Sequence, residues 1–215
     1  MWTFPLRRLD TYLRVVTVDS RWWEQPVLIG RHVRLEPLTQ EHAEGLHAAG
    51  KDPEIWRWLS WRQPVELADT RRIIAAGDAD RERGFRLPWA QIDQRSGEVA
   101  GTTSYYEITP EHRGIAIGYT WIGAPWQRTA LNTEAKLLLL ARAFETLGAN
   151  RVTWHTDIDN LRSQRAIARL GAQREGVHRH HRIRPDGTLR DTVTFSMIAE
   201  EWQEARQRLS SRLLD

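Results

Sequence analysis

Cysteine is absent from the 215 residues, which excludes disulfides, a thiolate metal site and a thiol nucleophile. Lysine is scarce as well: Lys51 and Lys136 are the only lysines among 31 basic residues, so a formal charge of +3 is carried almost wholly by arginine. Arginine presents a planar fork suited to phosphate and carboxylate, although a genome-level preference for arginine codons gives the same skew. Long apolar runs are missing. Leu137–Leu140 is hemmed by Lys136 and Arg142, far short of the roughly eighteen residues a membrane span needs. Met1 to Arg8 contain no apolar signal core with a small-residue cleavage site, so a cytoplasmic location is expected. The length suits one well-buried core, read as an N-terminal extension over 1–26, a domain over 27–202 and the end of a C-terminal helix over 203–215.

What the chain does have is tryptophan, eleven in all, enough to fill a core or a helix–sheet interface and to line a cleft. Val27–Leu38 alternates as a strand, and Thr39 offers a cap for a helix over 40–49 that places Ala43, Leu46 and Ala49 on one face. Trp56, Trp58 and Trp61 follow in a segment read either as helical packing or as an aromatic wall. A helix over 65–80 precedes three antiparallel strands at 85–93, 99–108 and 115–121, split by Ser96-Gly97 and by Pro110 to Gly114. Val152–Thr156 supplies a further strand. The spacing of Ala166, Ile167 and Leu170 predicts a helix ended by Gly171. Gln173–Arg184 and Leu189–Ile198 then form a hairpin around Pro185-Asp186-Gly187, followed by a polar helix over 200–214. The fold class is α/β (α+β).

The stretch from Trp121 to Gly148 reads as strand, turn and helix. Pro125 cannot continue a ladder, and a turn punctuated by Thr and Asn feeds a segment that stops at Gly148. The first turn of such a helix leaves backbone N–H groups without intrahelical partners at the positive end of its dipole, so 127–133 is a cradle for a phosphate. The plainer alternative is a helix capped by Asn132 or Thr133.

The order Gln127-x-x-Ala130-x-Asn132-Thr133-Glu134-Ala135 resembles the acetyl-CoA-binding turn of the GNAT acyltransferases, with Ala130 and Asn132 at its two glycine positions. A left-handed residue at Ala130 would be strained, so Ala130 is expected to be helical already. Asn160-x-x-Ser163-x-x-Ala166-Ile167-x-x-Leu170-Gly171-Ala172-x-x-Glu175-Gly176 is similar to the second half of that domain, nearest the branch of ribosomal-protein N-terminal acetyltransferases. The resemblance implies a single domain with a mixed, mostly antiparallel sheet of six to seven strands, splayed after the fourth. It implies acetyl-CoA as co-substrate, no metal, and direct transfer to an amine. The implied donor contacts are Trp121, Ile122, Gly123, Gln127, Arg128, Thr129, Ala130, Leu131, Asn132, Thr133, Asn160 and Ser163. Trp56, Trp58 and Tyr119 would flank the acceptor, and Ser163 would protonate the departing thiolate. Asn160 and Ser163 are equally suited to simple helix capping.

Deprotonation of the amine has Glu107, His155 or Asp157 as candidates, with Glu107 taken as catalytic. Model α-amines and lysines titrate about 2.6 units apart, so at neutral pH an α-amine is neutral roughly 400 times more often and needs only a weak base. A protein N-terminus is therefore the expected acceptor, a small amine such as an amino acid, polyamine or antibiotic the alternative, and a non-catalytic acyl-CoA- or nucleic-acid-binding regulatory domain the third reading. The run His178 to Arg184 is a poor metal site, because strand alternation would send His180 and Arg182 to the face opposite His181. It is read as a solvated strand face rather than a nucleic-acid patch. The N-terminal aromatics and the polar C-terminal helix leave room for a homodimer contact.

Overall fold

The computed structural model describes residues 19–214. Eight strands form one sheet: β1 (Leu28–Ile29), β2 (Val33–Pro37), β3 (Arg86–Asp93), β4 (Val99–Thr109), β5 (Gly114–Ile122), β6 (Arg151–Asp157), β7 (Gln173–Ile183) and β8 (Leu189–Ile198). Their spatial order is β1-β2-β3-β4-β5-β6-β8-β7, antiparallel throughout except for β5 against β6. The five helices are α1 (Ala43–Ala49), α2 (Leu67–Glu82), α3 (Ala130–Ala141), α4 (Leu161–Leu170) and α5 (Ala199–Ser211). None of the described helices is long and apolar enough to cross a membrane.

Two cores result. One gathers Leu46, Ile74, Ile92 and Trp121 beneath α1 and α2. The larger one gathers Trp89, Tyr105, Leu139, Leu140, Ile167, Leu170, Trp202 and Leu209 beneath α3, α4 and α5. Every residue of β3 is buried, as a strand sandwiched between two helical layers requires.

The sheet has one strand more than expected because Val27–Leu38 is broken in two. The Glu134 carboxylate, on α3, accepts the N–H groups of Arg31 (2.8 Å), His32 (2.6 Å) and Val33 (2.9 Å). Hydrogen bonds to a charged group are worth roughly 1.5–3 kcal/mol each, enough to favour a tight turn over a continued strand. Gly30 is required there, since a Cβ would stand 2.4 Å from the Glu134 carboxyl carbon. The fourth strand anticipated from sequence is therefore β5.

Three further expectations change. The tryptophan-rich segment is not a helix but a single 3₁₀ turn, Pro53–Ile55, started by Asp52 accepting the Glu54 N–H, followed by irregular turns. Helix α3 starts at Ala130 and is capped by Thr129, whose hydroxyl accepts the Leu131 N–H, rather than by Asn132 or Thr133. It passes into a π turn at Arg142–Thr146 before Gly148 closes it at φ +66°.

Of the extension assigned to 1–26, residues 1–18 lie outside the described residues, but 19–26 are fastened to the domain. Trp22 is 3% exposed within the larger core. The Arg142 guanidinium donates to the carbonyls of Arg21 (2.7 Å) and Glu24 (2.8 Å), and the Trp89 indole donates to Pro26 (3.0 Å).

Candidate active site

Strands β5 and β6 pair only where Gly114–Ala116 meets Arg151–Thr153, and then diverge. The cause lies partly in a bulge against β4: Thr102 faces Trp121 while Ser104 faces Gly118, so β5 carries an extra residue, and Tyr119 takes φ +49°. Residues 117–122 of β5 and 154–157 of β6 keep their outer partners on β4 and β8 but do not pair with each other. A cavity of about 540 Å³ fills the wedge between them.

At one end the wedge meets the start of α3. Gln127 clamps three elements there: its side-chain amide donates to the Ile122 carbonyl (2.9 Å) and accepts from Arg162 of α4 (3.0 Å). The left-handed residue of this turn is Arg128, at φ +62°, while Ala130 is helical as expected. Arg128, Thr129, Asn132 and Thr133 line the cavity with Arg162 and Arg169. Asn132 Oδ1 is buried without a partner among the described residues. First-turn N–H groups and three guanidiniums, all donors, make a chemically fitting seat for the acceptor oxygens of a diphosphate.

Asn160 caps α4 by accepting the Ser163 N–H at 3.0 Å, and both residues also face the cavity, so capping and exposure to the wedge coexist. The Ser163 hydroxyl has no hydrogen-bond partner among the described residues, which leaves it free to donate. Trp121 and Ile122 line the wedge too. Gly123, Ala130 and Leu131 do not line the cavity: the Leu131 side chain is buried in the core and the Gly123 N–H is bonded to Ala100 (2.8 Å), so Ala130 and Leu131 belong to the seat only through the backbone at the start of α3.

The other end is aromatic. Trp58, Leu59, Ser60 and Trp61 form one wall, with Tyr119, Tyr106 and His155 opposite. Ring centroids step from Trp61 to Tyr119 (5.5 Å), to Tyr106 (5.1 Å) and to His155 (6.2 Å). Arg86, itself paired with Asp80 at 3.1 Å, lies under the Trp61 and Tyr119 rings at 5.2 and 4.5 Å. Trp56 sits beneath this wall, not on it: it is 6% exposed, packs 5.2 Å from Trp121, and donates to the Gly50 carbonyl (2.8 Å).

The three candidate bases separate cleanly. Asp157 faces the cavity, and although burial raises its pKa, the Arg184 guanidinium bonded at 2.7 and 2.9 Å outweighs that and holds it charged and occupied. Glu107 does not line the cavity, yet its carboxylate bonds His155 Nε2 at 3.0 Å, and His155 does line it. That hydrogen bond, more than any other interaction, keeps Glu107 below the usual carboxylate range. His155 Nδ1 meets the Thr194 hydroxyl at 3.2 Å.

Residues not anticipated also converge here. Lys136, on α3, donates to Thr103 (2.8 Å) and Thr120 (2.7 Å) in the wall, and burial lowers its pKa to about 7. Its rarity in an arginine-dominated chain was the available signal. Tyr106 is another, its phenol pushed up by burial and so kept protonated. The histidine run is not wholly a solvated face: beyond a register shift between His178 and Arg182, with His180 at φ +49°, Arg182 pairs with Arg190 and lines the cavity. Among the described residues no group of His, Cys, Asp and Glu could hold a metal.

Comparison with known proteins agrees with this geometry. YoaA of Bacillus subtilis, named as an uncharacterized N-acetyltransferase, is 27% identical over 175 residues, covering 80% of this chain and 97% of its own. YdaF of the same organism, whose name marks it provisionally as a ribosomal N-acetyltransferase, is 25% identical over 183 residues, 81% of this chain and 96% of its own. The crystal structure of a GCN5-related N-acetyltransferase from Brucella melitensis superposes with a TM-score of 0.84 at 32% identity, covering 88% of this chain and 86% of that one. Residues 32–173, which run from the Glu134-held turn through the wedge and α4, match the acetyltransferase (GNAT) domain, and the chain belongs to that family of acetyl-CoA-dependent N-acetyltransferases.

Proposed function

We infer that the acceptor is the α-amine of a peptide or protein N-terminus, and that transfer is direct, within a ternary complex. The observation that carries this is the weakness of the available base. Every carboxylate near the acceptor end is held down, Asp157 by Arg184 and Glu107 by His155. An α-amine is already substantially neutral near pH 7, whereas a lysine amine is not.

In this reading the diphosphate of the donor rests on the N–H groups at the start of α3 with Arg128, Arg162 and Arg169. The pantetheine arm runs along the unpaired edge of β5 from Tyr119 to Ile122, and Asn160 contacts it. A β5 N–H directed at the thioester oxygen would stabilise the charge that develops there, a contribution on the order of 3 kcal/mol. The amine nitrogen attacks the thioester carbonyl carbon. As the C–N bond forms and the C–S bond breaks, the amine proton passes through water to the Glu107–His155 pair, and the Ser163 hydroxyl protonates the departing thiolate. Trp58 and Tyr119 flank the acceptor.

The test is a product-mass screen with acetyl-CoA against N-terminal peptides, lysine side-chain amines and small polyamines. Acetylation of peptide α-amines in preference to the other two supports the reading. Preferential turnover of polyamines or other small amines would overturn it.

A further inference from the structure

Arg182 and Arg190 are cross-strand partners in the β7–β8 hairpin, two like charges placed directly opposite each other. Such pairs cost stability. Both line the cavity at its aromatic end, and neither guanidinium makes a hydrogen bond with any described residue. Arg190 is 14% exposed along its side chain, and its Nε is buried without a partner. Its one ionic neighbour is Asp157, 3.9 Å away, a carboxylate already bound by two hydrogen bonds from Arg184. Glu107, the next nearest acid, is committed to His155. The acceptor end thus holds two guanidinium forks to which no carboxylate among the described residues is hydrogen-bonded.

We propose that Arg182 and Arg190 receive an oxyanion carried by the acceptor, a carboxylate or a phosphate close in sequence to the reacting amine. The inference rests on the peptide α-amine reading and names the substrate class within it: N-termini with an acidic or phosphorylated residue next to the first. A guanidinium fork matches either oxyanion through paired N–H···O bonds, and the missing acceptor for Arg190 Nε is satisfied by it. Tyr106 and the Trp61–Tyr119 pair enclose the same space, and partial exclusion of water there strengthens the pairing.

The test uses calorimetry with the full chain saturated with CoA and three N-acetylated tetrapeptides that differ only at the second residue: Asp, phosphoserine or Asn. Turnover of the unacetylated peptides is measured in parallel. The expected result is roughly tenfold or tighter binding of at least one anionic peptide over the Asn peptide, in line with a charged hydrogen-bond pair. The preferred anion identifies the source. Arg190→Gln and Arg182→Gln should each shrink that gap. Arg182 is exposed, so its variant keeps the test decisive should Arg190→Gln fail to fold. Equal binding of all three peptides, binding of none, or a gap that survives both substitutions would overturn the proposal. Equal turnover of all three unacetylated peptides would sink it while leaving the α-amine reading intact. Selective binding of the anionic product with turnover only of small amines would do the reverse.

Discussion

The Glu107 carboxylate lies 3.0 Å from Nε2 of His155, joining the bulged part of β4 to the far strand of the wedge. The pair is the only acid–imidazole contact at the acceptor end among the described residues. Glu107→Gln removes the charge and keeps the shape. It should lower kcat for a peptide acceptor by roughly a hundredfold, the lower range for loss of a general base, with little change in the KM for acetyl-CoA. Steady-state kinetics across pH 6 to 9 check this. A rate within twofold of the parent at every pH would reduce the pair to a structural tie.

Ser163 has a free hydroxyl facing the wedge, while only its N–H is used, by Asn160. Ser163→Ala leaves the cap of α4 intact because the capping bond is made by backbone. Turnover should fall about tenfold or more while donor affinity stays within twofold, and Ser163→Thr should recover part of the loss. Parallel losses in both would point to a binding role instead.

Lys136 gives a pH dependence whose sign follows from burial. Its pKa is about 7 in the folded protein against roughly 10.4 in an unfolded chain, so between those values only the unfolded state holds the proton. Stability contributed by this residue therefore rises with pH across that window, by at most about 1.4 kcal/mol per unit, and the full penalty of burying the charge is felt below pH 7. Lys136→Met should melt higher than the parent at pH 7 and show a smaller gain on going to pH 9.5. Thr103 and Thr120 lie 2.9 Å apart and can bond each other once the lysine is gone. Identical melting shifts for parent and variant would show that the residue does not titrate in this window.

Gly118 faces the Tyr106 ring, and an added Cβ would stand 2.7 Å from Cε1. Gly118→Ala must push the phenol toward His155 and narrow the acceptor end. The expected signature is a several-fold rise in the acceptor KM with near-normal affinity for acetyl-CoA, read by initial rates with each substrate varied. A proportionate loss of both would mean that the whole wedge had shifted.

The order of elements was legible because local signals carried it: the turn residues between strands, the Gly171 stop, and the spacing of Ala166, Ile167 and Leu170. What escaped depends on partners distant in sequence. Glu134 reads as an ordinary helical residue until its three bonds to Arg31, His32 and Val33 are seen across about a hundred positions. Arg182 reads as part of a solvated strand face until its pairing with Arg190, beyond the register shift around His180, sets it at the cavity. Trp58 was distinguishable from Trp56 only once the 3₁₀ turn fixed which indole goes under the wall. Ala130 was read correctly as helical, because a left-handed alanine is strained, and the strain falls on Arg128 instead.

The tie between Arg142 and the carbonyls of Arg21 and Glu24 bears on how shortened forms of the protein would behave. The matched stretch begins at residue 32 and ends at 173, yet a fragment cut to those limits would strand a guanidinium that is 6% exposed, empty the socket of Trp22, and discard β7, β8 and α5, whose Trp202 and Leu209 complete the larger core. The span matched to the family domain is thus smaller than the packed unit, and residues 19–26 work as a clasp rather than a tail.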